Sequence, residues 1–227
     1  MPQQSAWENE YQRQAIVTGE DVPQAFFLRY LKELKKEGVR PDGLHVLDLG
    51  CGTGRNSNHL AKMGAIVTGI DIAANAIATA KQRAKDLKLD VRYIRQSMDE
   101  PYPCEDASID LVLDITSSNS LSEAERERYL QETFRVIKPG GHFFVRALCS
   151  DGKNVQNLLT LFPGQEHDTY IHPDLHVTER VFSIADFRAL YAPYFTITKM
   201  HRDTTYTRVG NQRYKRGFLL VSMQKPL

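Results

Sequence analysis

Residues 46–54 read VLDLGCGTG, and this stretch decides the fold of the 227-residue chain. Its apolar residues, Val46, Leu47 and Leu49, predict a short buried strand. The three glycines that follow let the backbone bend sharply and approach a ligand closely, because they carry no Cβ. The stretch therefore predicts a strand that leads into a glycine-rich turn with a ligand beside it.

An acid at the end of the next apolar run extends this pattern. The run Ile66–Asp71 predicts a second strand, and its last residue is a carboxylate. A glycine-rich turn after one strand and an acid after the next are typical of a nucleoside site in a βαβ unit, where the carboxylate binds ribose hydroxyls. A dinucleotide would need a third glycine at the position of Arg55, and Asp48 would repel its pyrophosphate. Asp48 instead suits a cationic or zwitterionic ligand such as S-adenosylmethionine (SAM), which carries a sulfonium and an ammonium but no phosphate.

Residues 48–54 resemble the first motif of the class I SAM-dependent methyltransferases. Four further stretches agree in order: Asp71 at the ribose position, residues 96–99 at the adenine turn, residues 108–114 as the fourth strand, and residues 136–141 as the exit into the fifth. The resemblance covers residues 45–148 in detail and the rest in outline. It implies an enzyme that transfers the methyl group of SAM and releases S-adenosylhomocysteine.

The same resemblance assigns residues to the cofactor. They are Asp48, Gly50, Cys51, Gly52, Gly54, Asp71, Ile72, Ser97, Met98 and Asp114. The glycine turn is expected to pack against the methionine half of SAM, and Asp48 to orient the turn or hold the ammonium. Asp71 is expected to accept both ribose hydroxyls, while Ile72 and Met98 enclose the adenine. Asp114 faces the amino-acid end or the acceptor, or is a loop carboxylate with no ligand contact.

The alternation of strand and helix patterns predicts an α/β fold, a Rossmann-like doubly wound sheet of about seven strands. Most strands are expected to be parallel. The last two, at residues 195–206 and 213–223, are expected to form an antiparallel C-terminal hairpin with its turn at residues 209–212. Ser122 and Glu125 predict a capping box at the start of a helix. Pro139 and the glycines after it are expected to end that helix, ahead of a fifth strand at residues 142–148.

The chain is predicted to be one SAM-dependent methyltransferase domain over residues 1–227. Residues 1–40 are expected to form a helical arm, with Trp7 and Tyr11 closing as a lid over the cofactor or packing on the body. Residues 149–182 show weak periodicity and are expected to form an insert on the acceptor side.

The insert holds three histidines and two acids within ten residues, namely His167, Asp168, His172, Asp174 and His176. Histidine titrates nearest neutral pH and can take a proton from a phenol, thiol or amine. Tyr170, His172 and His176 are therefore the candidate catalytic residues, and a lid loop whose imidazoles only form hydrogen bonds is the alternative. Pro173 argues against a helix that would bring two histidines to one metal ion, so no metal site is predicted.

Composition limits the partners. The formal net charge is +1, which gives no overall electrostatic attraction to nucleic acid. The basic residues between Lys199 and Arg216 favour a solvated hairpin face, although contact with RNA or an anionic substrate stays open. Arg146, in an apolar strand, is expected near the strand's outer end or paired with an acid.

The three cysteines lack a CxxC spacing, and no apolar run reaches the ~18 residues that span a bilayer. We therefore expect a cytoplasmic protein with reduced thiols and no membrane contact.

These patterns predict a methyltransferase that acts on an oxygen, nitrogen or sulfur atom of a small molecule. The adenine and glutamine N-methyltransferase branches are disfavoured, because residues 114–119 read DITSSN and lack a Pro-Pro-Tyr sequence. Three alternatives stay open: an RNA or protein methyltransferase that uses the basic hairpin, a non-catalytic SAM-binding interaction module, and a SAM enzyme that transfers another group such as aminopropyl. The acceptor, the use of a general base, the oligomeric state and the pathway are not determined by the sequence.

Overall fold

The computed structural model describes residues 3–13, 21–209 and 212–227, with side chains for residues 3–12, 21–206 and 215–227. The helices are α1 Gln4–Arg13, α2 Ala25–Lys36, α3 Arg55–Lys62, α4 Ala74–Asp86, α5 Glu123–Val136, α6 Lys153–Leu161 and α7 Ile184–Tyr191. The strands are β1 His45–Leu49, β2 Ile66–Asp71, β3 Val91–Arg95, β4 Ile109–Ile115, β5 Ile137–Leu148, β6 Thr169–Ile171, β7 Thr178–Arg180, β8 Thr196–Val209 and β9 Gln212–Gln224.

Seven strands form one sheet in the order β3-β2-β1-β4-β5-β9-β8. The first five are parallel, and β9 runs antiparallel to both β5 and β8. The predicted α/β class with an antiparallel C-terminal hairpin is thus confirmed. The hairpin turn itself lies partly outside the described residues. Strand order reverses between β1 and β4, so a crevice opens beyond the carboxyl ends of these two strands.

Helices cover both faces of the sheet. Side chains of successive strand residues point to opposite faces, so each central strand contributes to two apolar clusters. In β1, Leu47 and Leu49 pack in a cluster that includes Tyr129 of α5 and Tyr191 of α7. Val46 packs on the other face in a cluster built from α2 and α3. Two covered faces explain why β1 reads as a nearly continuous apolar run, apart from Asp48.

The boundary between α5 and β5 differs from the sequence prediction. The capping box is present, with the Glu125 amide and carboxylate both bonded to Ser122. The helix ends at Val136, however, and β5 begins at Ile137 instead of residue 142. Ile137 is fully buried and pairs with Ile109, and the register shifts after that pair. Burial of one apolar side chain thus extends the strand across the proline and glycines that were expected to end the helix.

The insert is more regular than its sequence suggests. It contains α6 and a two-stranded antiparallel sheet in which Thr169 pairs with Arg180 and Ile171 with Thr178. Tyr170 and Val181 are buried against Leu148 and Phe218 of the main sheet. The insert therefore packs at the carboxyl end of β5, beside the crevice.

Candidate functional site

The glycine turn after β1 forms the floor of the crevice. Gly50, Gly52 and Gly54 have φ angles of 64°, 55° and 81°, in the left-handed region that favours glycine. A Cβ on Gly52 would lie 2.8 Å from the hydroxyl oxygen of Tyr11. A Cβ on Gly54 would collide with the hydroxyl of Tyr93 and lie 3.0 Å from Cβ of Ala80. Gly54 thus lets the start of α3 pack closely against the sheet, while Gly52 keeps the crevice open.

Asp71 closes one side of this turn. Its Oδ2 accepts a hydrogen bond from the Gly52 amide and its Oδ1 one from the Ala73 amide, both at 2.9 Å. The side chain is buried, and burial raises its pKa to about 6, although the backbone hydrogen bonds oppose that shift. Each carboxylate oxygen can accept more than one hydrogen bond, so both oxygens can still accept bonds from a pair of hydroxyls.

Asp48 lies beneath the turn as a second buried carboxylate. Its Oδ2 accepts a hydrogen bond of 2.5 Å from the Ser57 hydroxyl. Burial raises the pKa of Asp48 to about 7, with the hydrogen bond from Ser57 acting in the opposite direction. A cation beside Asp48 would stabilise its charged form, so this position suits a positively charged ligand group.

One cavity of about 890 Å³ joins these groups to the neighbouring strand ends. Its size lies within the roughly 300–1,000 Å³ typical of small-molecule sites. We call the wall formed by residues 48–98 the cofactor half. It includes Asp48, Gly50, Cys51, Gly52, Asp71, Ile72, Ser97 and Met98. Eight of the ten residues predicted to bind the cofactor are therefore brought together in one wall, and their contacts with a ligand stay a prediction.

Residues 46–141 match the model of a family described as a methyltransferase domain. Together with the strand order, this match shows that residues 46–141 are similar to a methyltransferase domain. The predicted resemblance to the SAM-dependent methyltransferases is thereby confirmed.

The methyltransferase domain has relatives of known name. A ubiquinone biosynthesis O-methyltransferase of Coxiella burnetii is 34% identical over 142 residues. The match covers 58% of this chain and 58% of the relative, so the chain spans less than two thirds of the length of that protein.

Two solved structures share the fold. A SAM-dependent methyltransferase of Methanosarcina mazei has a TM-score of 0.75 at 23% identity, covering 91% of this chain and 99% of that one. A Burkholderia thailandensis 1,6-didemethyltoxoflavin-N1-methyltransferase, with its acceptor and S-adenosylhomocysteine bound, has a TM-score of 0.71 at 18% identity. That match covers 99% of this chain and 87% of the other. At these identities the likeness concerns the fold alone.

Gly54 and Asp114 do not line the cavity of the methyltransferase domain. Asp114 is fully buried and accepts hydrogen bonds from the amides of Ser117 and Ser118 at 3.1 Å and from the Tyr129 hydroxyl at 2.7 Å. Its carboxylate therefore holds the loop after β4, which agrees with the loop-carboxylate alternative. Ser117 in turn donates to the Gly50 carbonyl at 3.3 Å, so Asp114 supports the cofactor half indirectly.

None of the three candidate catalytic residues of the insert lines the cavity. Tyr170 is buried, and its hydroxyl donates to Glu179 at 2.6 Å. His172 is buried, its Nδ1 accepts from the amides of Asp174 and Leu175 at 3.3 Å, and burial lowers its pKa. His176 is exposed on the outer side of the same turn. The structure brings none of the three to the cavity, and their catalytic role stays a prediction.

We call the remaining wall, formed by lining residues from positions 24–29 and 115–218, the acceptor half. It includes Phe26, Arg29, Ile115, Thr116, Arg146, Leu175, Glu179, Asp203, Arg216 and Phe218. These residues come from separate helices, strands and loops, and no local motif joins them in the sequence. The basic residue in an apolar strand, Arg146, was the one available signal.

The N-terminal helix α1 covers the cavity from one side. Trp7 and Tyr11 both line it, with ring centroids 6.5 Å apart. The side chain of Gln3 donates to the carbonyl of Thr178 at 3.1 Å and accepts from its amide at 2.8 Å. The helix α1 therefore lines the cavity and packs on the body, and its closure as a lid stays a prediction.

The described residues contain no group of three or more His, Cys, Asp or Glu side chains arranged to hold a metal ion. Within the same ranges, no helix is both long and apolar enough to cross a bilayer. The cysteines, Cys51, Cys104 and Cys149, are free thiols.

Proposed function

We propose that this chain is a SAM-dependent methyltransferase that acts on a small molecule. The observation that carries the proposal is the Asp71 carboxylate, which is bonded to the Gly52 and Ala73 amides beside a turn where a side chain would block the crevice. A buried carboxylate with spare acceptor capacity suits the two hydroxyls of a ribose.

The other residues of the cofactor half fit the remaining parts of SAM. Ile72 and Met98 provide apolar walls for the adenine, and the turn at Gly50 and Gly52 provides backbone surface for the methionine part. Asp48 provides a buried negative charge for the ammonium, directly or through water. When bound, SAM supplies an electrophilic methyl group on a sulfonium. The protein then aligns the acceptor with that methyl group and excludes water, and such positioning lowers a barrier by as much as about 7–11 kcal/mol.

A small-molecule acceptor is favoured by the shape and charge of the acceptor half. This half lies inside the cavity, between α1, the insert and the part of the C-terminal hairpin nearer its turn. Two exposed basic side chains of the hairpin are paired: Lys199 with Glu33 at 2.6 Å and Arg202 with Asp151 at 2.7 Å. These pairs weaken the alternative of nucleic-acid binding by the hairpin, whose Arg208, Arg213 and Tyr214 side chains lie outside the described residues. The named relative is an O-methyltransferase, so a hydroxyl oxygen is the acceptor atom to test first.

Tyr170 and His172 are best assigned a supporting role within this proposal. Tyr170 holds the Glu179 carboxylate in the wall, and His172 organises the turn that carries Leu175. His172→Gln is expected to change the KM of the acceptor while leaving SAM affinity unaltered. A bell-shaped pH profile that loses one limb in this variant would instead support a general base. Free thiols and the absence of a bilayer-spanning helix in the described ranges are consistent with a cytoplasmic location, which forms part of the proposal.

The proposal is tested by calorimetry and isotope transfer. We expect SAM and S-adenosylhomocysteine to bind the wild-type protein, Asp71→Ala to bind at least tenfold more weakly, and the surface control Asp86→Ala to bind normally. Methyl-labelled SAM is then offered with a panel of phenols, with RNA and with a protein extract. Label in the phenols supports the proposal, whereas label in RNA or protein supports the first alternative. Binding without transfer to any pool would favour a non-catalytic module, and preferential binding of NADH would refute the cofactor assignment.

A further inference from the structure

Arg146 is a buried cation at the carboxyl end of β5. Its side chain lines the cavity, yet the residue is only 7% exposed. Nη1 donates to the Thr116 hydroxyl at 2.7 Å. The guanidinium carbon lies 4.6 Å from the ring centroid of Phe26 and 3.3 Å from that of Phe218. Two aromatic rings and one hydroxyl thus fix the position of the guanidinium.

The charge of Arg146 has no ion-pair partner in the described part of the chain, and Asp203 attracts it from beyond ion-pair distance. No carboxylate there lies within 4.0 Å of it, and its buried Nε has no hydrogen-bond acceptor. Two other arginines of the acceptor half are paired, Arg216 with Glu179 at 2.8 Å and Arg29 with Asp203 at 3.6 Å. Glu179 also accepts a hydrogen bond from the Tyr170 hydroxyl, so its carboxylate is bonded to Arg216 and Tyr170 and not to Arg146.

An unpaired buried charge is costly, and a folded protein usually compensates it with a partner. Burial, together with repulsion from Arg216, lowers the pKa of Arg146 to about 9, but the group stays positively charged at neutral pH. Apolar side chains, among them Phe26, Phe218 and Leu175, line the cavity together with the paired charged residues. The site therefore combines one fixed positive charge with apolar surface.

We propose that Arg146 binds a carboxylate of the methyl acceptor, so that the substrate class is a small acid that also carries an apolar group. The inference rests on the proposed function, because the acceptor half is defined by the cofactor half beside it. A planar carboxylate matches the donor geometry of a guanidinium, and its charge compensates that of Arg146. The cation then selects acids over neutral analogues of the same size.

The test compares acids with their neutral counterparts. Hydroxybenzoates and the matching hydroxybenzamides are titrated into the protein saturated with S-adenosylhomocysteine, and binding is measured by calorimetry. We expect the wild-type protein to prefer the acid by about tenfold or more, because hydrogen bonds to charged groups contribute about 1.5–3 kcal/mol. Arg146→Gln is expected to abolish the preference, Arg146→Lys to retain part of it, and Arg188→Gln, on the exposed side of α7, to retain all of it.

The outcomes separate this inference from the proposed function. Normal S-adenosylhomocysteine binding without a preference for acids in the wild-type protein overturns the inference alone, as does a preference that survives in Arg146→Gln. A tenfold loss of S-adenosylhomocysteine affinity in Arg146→Gln also overturns it, since Arg146 would then bind the carboxylate of the cofactor. Failure of the wild-type protein to bind S-adenosylhomocysteine refutes the proposed function instead. If Arg146→Gln does not fold, Arg146→Lys decides: a reduced preference for the acid supports the inference, and an undiminished preference overturns it.

Discussion

Asp48→Asn is expected to stabilise the ligand-free protein, and the gain should grow as the pH rises. The Asp48 side chain is almost fully buried, and its pKa is raised from 3.8 to about 7 by burial. Between about pH 4 and pH 7 the folded chain keeps a proton on Asp48 that the unfolded chain has released. Folding therefore becomes less favourable by up to 1.36 kcal/mol for each pH unit in this window.

The size of the effect follows from the width of that window. About three pKa units correspond to an upper limit of about 4 kcal/mol in the free energy of unfolding above pH 7. Asparagine has nearly the same shape and can still accept the hydrogen bond from Ser57, but it carries no charge. The variant and the wild-type protein should therefore be about equally stable near pH 4, and the variant should be the more stable of the two at pH 7.5.

Urea unfolding followed by circular dichroism at several pH values between 4 and 8 measures the difference. Asp86→Asn, an exposed carboxylate on α4, is the control and should follow the wild-type curve. SAM should restore stability to the wild-type protein at pH 7.5 more than to Asp48→Asn, because its ammonium compensates the buried charge. If the free energy of unfolding of Asp48→Asn and of the wild-type protein changed with pH in the same way, burial would not raise the pKa of Asp48.

Three further predictions concern Gly54 in the glycine turn, the Asp71 carboxylate and the capping box at Ser122. Gly54→Ala should lower the free energy of unfolding by about 2 kcal/mol or more, since it adds backbone strain to a collision with Tyr93. Gly38→Ala, with a similar φ and open space around it, measures the strain alone in the same urea assay. SAM affinity should fall as the pH drops below about 6, because protonated Asp71 is a weaker acceptor for ribose hydroxyls; calorimetry that gives one affinity at pH 5 and pH 7.5 would contradict this. Ser122→Ala should cost about 1 kcal/mol through loss of the capping box, and an unchanged urea midpoint would argue against it.

Local signals located the strands and the cofactor half. The apolar residues Val46, Leu47 and Leu49 lie in β1, and the run Ile66–Asp71 forms β2, as predicted. Asp71 was assigned from its place at the end of β2, and it faces the glycine turn as expected. These features depend on neighbours in the sequence, which a pattern can record.

The acceptor half depends on contacts between distant segments, which no local pattern encodes. Glu179 and Arg216 are 37 positions apart, yet they form an ion pair in the cavity wall. A local pattern can also suggest a role that the packed structure does not support. His172 could act as a base, but its Nδ1 accepts a hydrogen bond from the amide of Asp174 in its own turn. Asp114 was likewise placed at the correct end of β4, while its burial and its bond to Tyr129 became evident only from the packed helix.

The two halves of the cavity come from different parts of the chain. Residues 48–98 supply one half, whereas positions 24–29 and 115–218 supply the other. Substitutions at Arg146 or Phe218 thus leave residues 48–98 unchanged. A lineage built on this plan can acquire new substrates through changes in its later segments alone, and a protein engineer can follow the same route by randomising positions around Arg146 and Phe218 while keeping the first βαβ unit constant.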